Sequence, residues 1–149
     1  MRGTTNVPSV YVILRRNGKG LFVLRSNTGF KDGEYTLPSG HVEGTESFIE
    51  AALRETKEEV GIDLKPGQLR LAYLMHRYCD DHNGAHVRVD VFFEADGWEG
   101  EPVNNEPDVH SEIAWFDMDN LPLEKIIDWQ SEALGRIAEG KNYSEFGWH

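Results

Sequence analysis

The sequence predicts an α/β fold in which a mixed β-sheet is covered by helices on both faces. Three observations carry this. Apolar, β-branched runs stand both before and after one amphipathic helix. That helix has start and stop signals of its own, and a second helical stripe closes the chain. Such an order buries both faces of a single sheet rather than building two separate layers.

The elements follow in order. Residues 1–7 are expected to form a short arm. Ser9 to Arg15 (SVYVILR) and Leu21 to Leu24 (LFVL) read as two strands, with Asn17-Gly18 between them as a hairpin turn. Ser26 to Glu34 is polar and glycine-bearing, so it reads as a loop. Tyr35 to Leu37 is a short extended piece, because Pro38 disfavours helix before it. A glycine-containing loop then leads into a helix over Phe48 to Val60. Ser47 and Glu50 form a capping box at its start, and Gly61 supplies the C′ residue at its end. Leu69 to Tyr78 and Val87 to Ala95 are the next strands. The latter alternates, with Val87, Val89 and Val91 on one face and Arg88 and Asp90 on the other. Residues 97–109 form an acidic loop, and Ile113 to Phe116 a short final strand. Pro122 suits the first turn of a last helix, whose stripe is Leu123, Ile126, Ile127, Leu134 and Ile137. No repeat or linker divides the 149 residues, which are read as one domain.

The central helix has two faces. Ile49, Leu53, Thr56 and Val60 form the stripe expected to pack on the sheet. Glu55, Glu58 and Glu59 form another, with Ala51 beside them leaving space, because positions three and four apart are neighbours on a helix. Arg54 lies four residues from both Glu50 and Glu58, so it can pair with them. Three carboxylates this close repel one another. A hard divalent cation relieves that, since magnesium takes oxygen ligands from a few carboxylates together with substrate phosphates.

The full pattern runs from Gly40 through Glu46, Arg54-Glu55 and Glu58-Glu59 to Gly61-Ile62. It resembles the signature of the Nudix (MutT-like) hydrolases, GX5EX7REUXEEXGU, where U is a bulky aliphatic residue. Every fixed position matches, and so many polar and glycine positions seldom coincide at fixed spacing by chance. Thr56 stands where an aliphatic residue is usual, and Ser39 replaces the glycine that often precedes the box.

The resemblance implies a Nudix-type α/β/α sandwich over roughly Ser9 to Glu139. It also implies hydrolysis of a nucleoside diphosphate linked to another group, with Mg2+ as cofactor or Mn2+ in its place. By that resemblance, Glu58 and Glu59 are the principal metal ligands, Glu55 is a ligand or the base that activates water, and Arg54 holds the carboxylates in place. The backbone carbonyl of Ser39 is a further ligand. Family members often add an acid from a loop beyond the box; Glu106 is the candidate and Glu112 the second choice. Arg25 and His41 stand where related enzymes place basic residues, and His76 and Arg77 are candidates for contact with a base or sugar.

Composition agrees with this chemistry. The formal charge is −11, which argues against a nucleic-acid polymer as partner, because binding a phosphate backbone needs a basic face. An acidic enzyme acting on a phosphorylated small molecule must bring positive charge in as metal. Cys79 is the only cysteine, so no intrachain disulfide forms. No leader-like or membrane-spanning stretch is read, and a cytoplasmic protein is expected. Cys79, Asp80, Asp81, His82 and His86 make a loosely spaced and weaker zinc candidate. The aromatic tail at 141–149 is expected to pack on the domain or across a homodimer interface.

The favoured substrate is a (deoxy)nucleoside triphosphate, unmodified or oxidised. ADP-ribose, sugar nucleotides and dinucleoside polyphosphates are the alternatives. ADP-ribose-type members often carry a proline about fifteen residues past the box, where this chain has Arg77 and Tyr78. A non-catalytic nucleotide-sensing module on the same fold is the competing class, although such modules tend to lose the box carboxylates retained here.

Overall fold

The structure, a computed structural model, describes residues 5–81 and 84–149. His82 of the zinc candidate and residues 1–4 of the expected arm lie outside them. Among the described residues the chain forms eight strands and two α-helices: β1 Asn6–Arg16, β2 Lys19–Arg25, β3 Tyr35–Thr36, β4 Ser39–His41, α1 Phe48–Val60, β5 Leu69–Asp81, β6 Gly84–Ala95, β7 His110–Asp117, α2 Asp128–Ala138 and β8 Tyr143–Phe146. The strand order is β3-β2-β1-β6-β5-β8, with β4 also on β1 and β7 also on β2. β1 with β6 and β5 with β8 are parallel, and the other pairs are antiparallel, so the sheet is mixed.

β1 is the spine. Its alternate side chains enter two different cores, Val10, Val12 and Leu14 on the α1 face and Tyr11 and Ile13 on the α2 face. That is why its sequence is apolar without a break. Its pairing also divides: Ser9 to Tyr11 pair with β4, whereas only Arg15 and Arg16 pair with β2. The Asn17-Gly18 turn takes positive φ at both residues, 53° and 77°, as a tight right-twisted hairpin requires.

Several expectations change. Asn6 and Val7 belong to β1 rather than to an arm, and Gly40 lies in β4 rather than in a loop. The 113–116 segment is not the final strand, because the aromatic tail adds β8 alongside β5, with Trp148 packed on His76 and Tyr78. The last helix begins only at Asp128. Ile126 and Ile127 are 2% exposed and strand-like: Ile127 N–H donates to Tyr35 O, and Tyr35 bridges Ile126. Pro122 therefore precedes a short 3-10 turn, Leu123–Lys125, and Leu123 is exposed rather than part of the stripe. β6 alternates as expected, yet Asp90 on its polar face is completely buried beneath the α2 side.

On α1, Ala51, Ala52, Thr56 and Val60 are buried while Ile49 and Leu53 flank the core. Thr56 fits there because its Oγ1 donates to Ala52 O at 2.8 Å, which satisfies the hydroxyl without a solvent partner. Among the described residues no helix is long and apolar enough to cross a membrane.

Candidate active site

The site forms where α1 meets β4. Ser47 accepts from Glu50 N–H, and Glu50 accepts from Ser47 N–H, so the helix start is closed by its own box; at the other end Gly61 adopts φ 71°. This occupies Glu50, and Arg54 turns elsewhere. Its Nε and Nη2 grip both oxygens of Glu46 at 3.0 and 2.6 Å, and Nη2 also donates to His41 O at 3.1 Å. Its Nη1 donates to Glu55 at 2.9 Å and Glu58 at 3.3 Å. One guanidinium thus ties the 41–46 segment to the carboxylate face of α1. The pairing holds Glu46 down at a pKa of about 2.

Glu55 packs against Gly40, where an added Cβ would overlap the carboxyl group itself. The opening glycine is therefore a space requirement. Glu59 is 6% exposed, and its Oε2 accepts from Ser39 N–H at 2.7 Å. Glu58 points outward, with half its side chain exposed.

The acidic loop completes the cluster. Val103 N–H donates to Val60 O and Asn105 N–H to Glu59 O, which satisfies carbonyls left open at the end of α1, and the Asn105 side chain adds a bond to Lys57 O, which already accepts from Gly61 N–H. This fastening brings Glu106 to Glu59. Glu106 O in turn accepts from Val109 and His110 N–H, so His110 arrives with it. Ligand atoms of Glu59, Glu106 and His110 all lie within 4.8 Å of one another, and His110 Nε2 is 3.6 Å from Glu59 Oε1.

Electrostatics define what the cluster lacks. Burial raises Glu55 to about 7 despite Arg54, with Glu58 and Glu106 adding to the effect. Burial, then Glu55 and Glu106, raise Glu59 well above the ordinary carboxylate range, and burial raises Glu106. His110 is lowered by burial and by Arg25, so it is neutral, and its buried Nδ1 has no hydrogen-bond partner. The donor set is carboxylate-rich, short of positive charge and supplemented by a neutral imidazole, which fits a divalent cation such as magnesium or manganese.

Across β4, on the α2 face, lies a cavity of about 330 Å3. Ser39, Gly40 and His41 form its edge, and Tyr11, Phe30, Trp129 and Gln130 contribute to its wall. The expected residues distribute unevenly around these two halves. Arg54, Glu55, Glu58, Glu59, Ser39 and Glu106 meet at the carboxylate side. Arg25 and His41 line the cavity, and Arg25 stands opposite His110 in the β2–β7 register. Burial and Arg88 lower His41, so it is neutral there.

Arg77 also lines the cavity, but Asp90 takes its Nε at 2.6 Å and Trp129 covers its guanidinium at 3.8 Å. Its charge is matched inside the protein, where the guanidinium also supports the Trp129 wall. His76 is elsewhere: it bonds Asn6 at 2.9 Å, packs at a tilt on Trp148 and lines neither cavity. Glu112 accepts from Tyr35 OH and stays apart from the carboxylates. Among the described residues the zinc candidates form no ligand cluster. His110 and Arg88 were missed, since neither falls in a spacing pattern; only the nearness of His110 to Glu106 in sequence hinted at it.

A family model described as the NUDIX domain matches residues 5–136, and the chain belongs to the Nudix family. It is 36% identical over 117 residues to a protein named ADP-ribose pyrophosphatase from Methanocaldococcus jannaschii, covering 77% of this chain and 65% of that one. Over 116 residues it is 34% identical to the NAD-capped RNA hydrolase NudC of Stutzerimonas stutzeri, covering 77% of this chain but 38% of the relative. The chain thus spans less than two thirds of either relative. Among solved structures, the MutT NUDIX hydrolase from Burkholderia pseudomallei superposes with a TM-score of 0.76 at 29% identity, covering 88% of this chain and 97% of that one.

Proposed function

We propose that this chain hydrolyses a phosphoric anhydride bond in a nucleoside diphosphate linked to another group, and that its substrate is a (deoxy)nucleoside triphosphate, unmodified or oxidised, cleaved to monophosphate and pyrophosphate. One observation carries this: a buried carboxylate cluster short of positive charge adjoins, across a single strand, an aromatic and arginine-lined cavity. Glu58, Glu59 and Glu106 hold a divalent cation, Mg2+ with Mn2+ as substitute, assisted by the Ser39 carbonyl and His110. When bound, that cation neutralises phosphate charge and makes its coordinated water more acidic.

The protein's own groups supply position. Ser39 N–H and Arg54 fix Glu59 and Glu55, so that little reorganisation is needed as charge develops. Glu55 either shares in holding the cation or accepts the proton of the attacking water. Arg25 and His41 face the phosphate chain, and the wall formed by Tyr11, Phe30 and Trp129 receives the nucleoside. A cavity of about 330 Å3 is small among ligand pockets, which favours a ligand with one nucleoside over a dinucleotide.

ADP-ribose is the second reading. A neighbouring cavity of about 240 Å3 shares Phe30, Arg77 and Trp129 with the first and offers room for a distal ribose. The relative named ADP-ribose pyrophosphatase supports it.

The test is a panel of nucleoside triphosphates, ADP-ribose, sugar nucleotides and dinucleoside polyphosphates with and without Mg2+, products separated by chromatography. Magnesium-dependent release of monophosphate and pyrophosphate from one triphosphate is expected, and Glu58→Gln should abolish it with the fold intact. Tight binding without cleavage would instead favour a sensing module.

A further inference from the structure

The cavity wall carries three guanidinium groups, Arg25, Arg77 and Arg88, and they are not equivalent. Arg77 is matched by Asp90 and covered by Trp129. Arg25 donates through Nε to Phe30 O and through Nη2 to Thr28 Oγ1, so part of its fork shapes the loop after β2. Among the described residues Arg88 has neither kind of partner. Its Nε is buried and makes no hydrogen bond, and no carboxylate among the described residues forms an ion pair with it. Asp90, two residues along β6, has its oxygens taken by Arg77 and Tyr11.

Among the described residues its one side-chain hydrogen bond runs from Nη1 to His41 Nε2, at 2.8 Å. A guanidinium only donates, so His41 accepts and is uncharged. It aims the group without cancelling its charge. Holding a half-buried guanidinium with unmade donors is costly, and it is notable in a chain of net charge −11 with carboxylates in excess.

Register fixes where the free edge lies. Arg88, Asp90, Ser9, Tyr11 and His41 share the α2 face through the β1–β6 and β1–β4 pairings. Gly40, one residue before His41, abuts Glu55 on the other face. Arg88 and the carboxylates therefore lie on opposite sides of β4.

We propose that Arg88 binds a phosphate oxyanion of the nucleotide on the cavity side of β4, with His41 as the residue that positions it. The identity of the anion rests on the anhydride-hydrolase reading; the anion site itself does not. A flat, two-donor fork is what a phosphate edge accepts, so lysine should replace arginine only in part.

The experiment titrates the EDTA-treated chain calorimetrically with inorganic tripolyphosphate, using wild type, Arg88→Gln, Arg88→Lys and His41→Ala, alongside steady-state kinetics on the best substrate of the panel. Arg88→Gln should weaken tripolyphosphate binding at least tenfold and raise KM similarly with a smaller change in kcat, at an unchanged unfolding midpoint. Arg88→Lys should recover part of the loss, and His41→Ala should fall between. Equal binding by wild type and Arg88→Gln, or no binding by wild type at millimolar tripolyphosphate, overturns the proposal. Arg88-dependent binding with every nucleotide left intact keeps the anion site and removes the hydrolase reading. Turnover with an unchanged KM in Arg88→Gln does the reverse.

Discussion

Glu59 offers the sharpest check, because removing its charge should strengthen the metal-free fold while removing function. The carboxyl is 6% exposed, accepts one hydrogen bond from Ser39 N–H, and shares its surroundings with Glu55 and Glu106. Without a cation, its charged form is held against both burial and like charge. Glu59→Gln keeps the acceptor oxygen for Ser39 and offers an amide N–H toward Glu106. Relief of an uncompensated buried charge is worth about 1–3 kcal/mol. For a chain of this size each kcal/mol moves the midpoint by about 2–4 °C, so Tm should rise by roughly 2–12 °C in EDTA at pH 7.5. Millimolar Mg2+ should stabilise wild type by mass action and the variant far less, so the two curves converge or cross. Turnover should be lost. The assay is thermal unfolding over a magnesium titration, paired with the substrate panel. A metal-free Glu59→Gln less stable than wild type, or stabilised equally by magnesium, would refute the electrostatic account of the cluster.

Two further outcomes follow from the same geometry. Gly40→Ala should displace the Glu55 carboxyl, because an added Cβ overlaps it; kcat should fall at least about 100-fold, as misplacement of a reacting group does, with tripolyphosphate binding at Arg88 retained. Unaltered kcat in that variant would show that Glu55 has room to spare. The pH dependence has a defined sign. Glu55 titrates near 7 in the fold against 4.5 unfolded, so between those values the folded chain binds the extra proton and stability falls as pH rises. The full effect is at most about 3 kcal/mol. His110, lowered by burial, acts in the opposite sense below pH 6.5. The Glu55 share is therefore read as wild type minus Glu55→Gln in metal-free unfolding scans. A flat difference between pH 5 and 8 would contradict the raised carboxyl.

Particular residues show where sequence reasoning reached its limit. The α1 boundaries, its capping box and the face carrying Glu55, Glu58 and Glu59 stand as read, since caps and i, i+3/i+4 neighbours depend on bonds within one turn. The same spacing also offered Arg54 two partners, Glu50 and Glu58; the capping box already engaged Glu50, but nothing in the spacing could reveal that Glu46, eight residues away, grips the guanidinium. Likewise β6 alternated as predicted, yet alternation is silent on whether a second layer covers the polar face. Burial of Asp90 and its pairing with Arg77 depend on α2 and β5 arriving there.

The sequence alone determined the helix, the carboxylate spacing and the family; why Gly40 must be glycine came from the packing of Glu55 against it. Tertiary structure decided which distant groups join them. Glu106 and His110 reach Glu59 only because the acidic loop satisfies the open carbonyls at the end of α1. Arg88 becomes an unmatched cation only because sheet register places Asp90 with Arg77 and His41 against its fork. His76 lies apart from the two cavities, with β8 alongside and Trp148 packed on it, because the tail adds a strand to β5. Local hydrogen bonds and helical periodicity are legible along the chain. Partner choice among charged groups many residues apart is set by register and burial, which exist only once the sheet has formed.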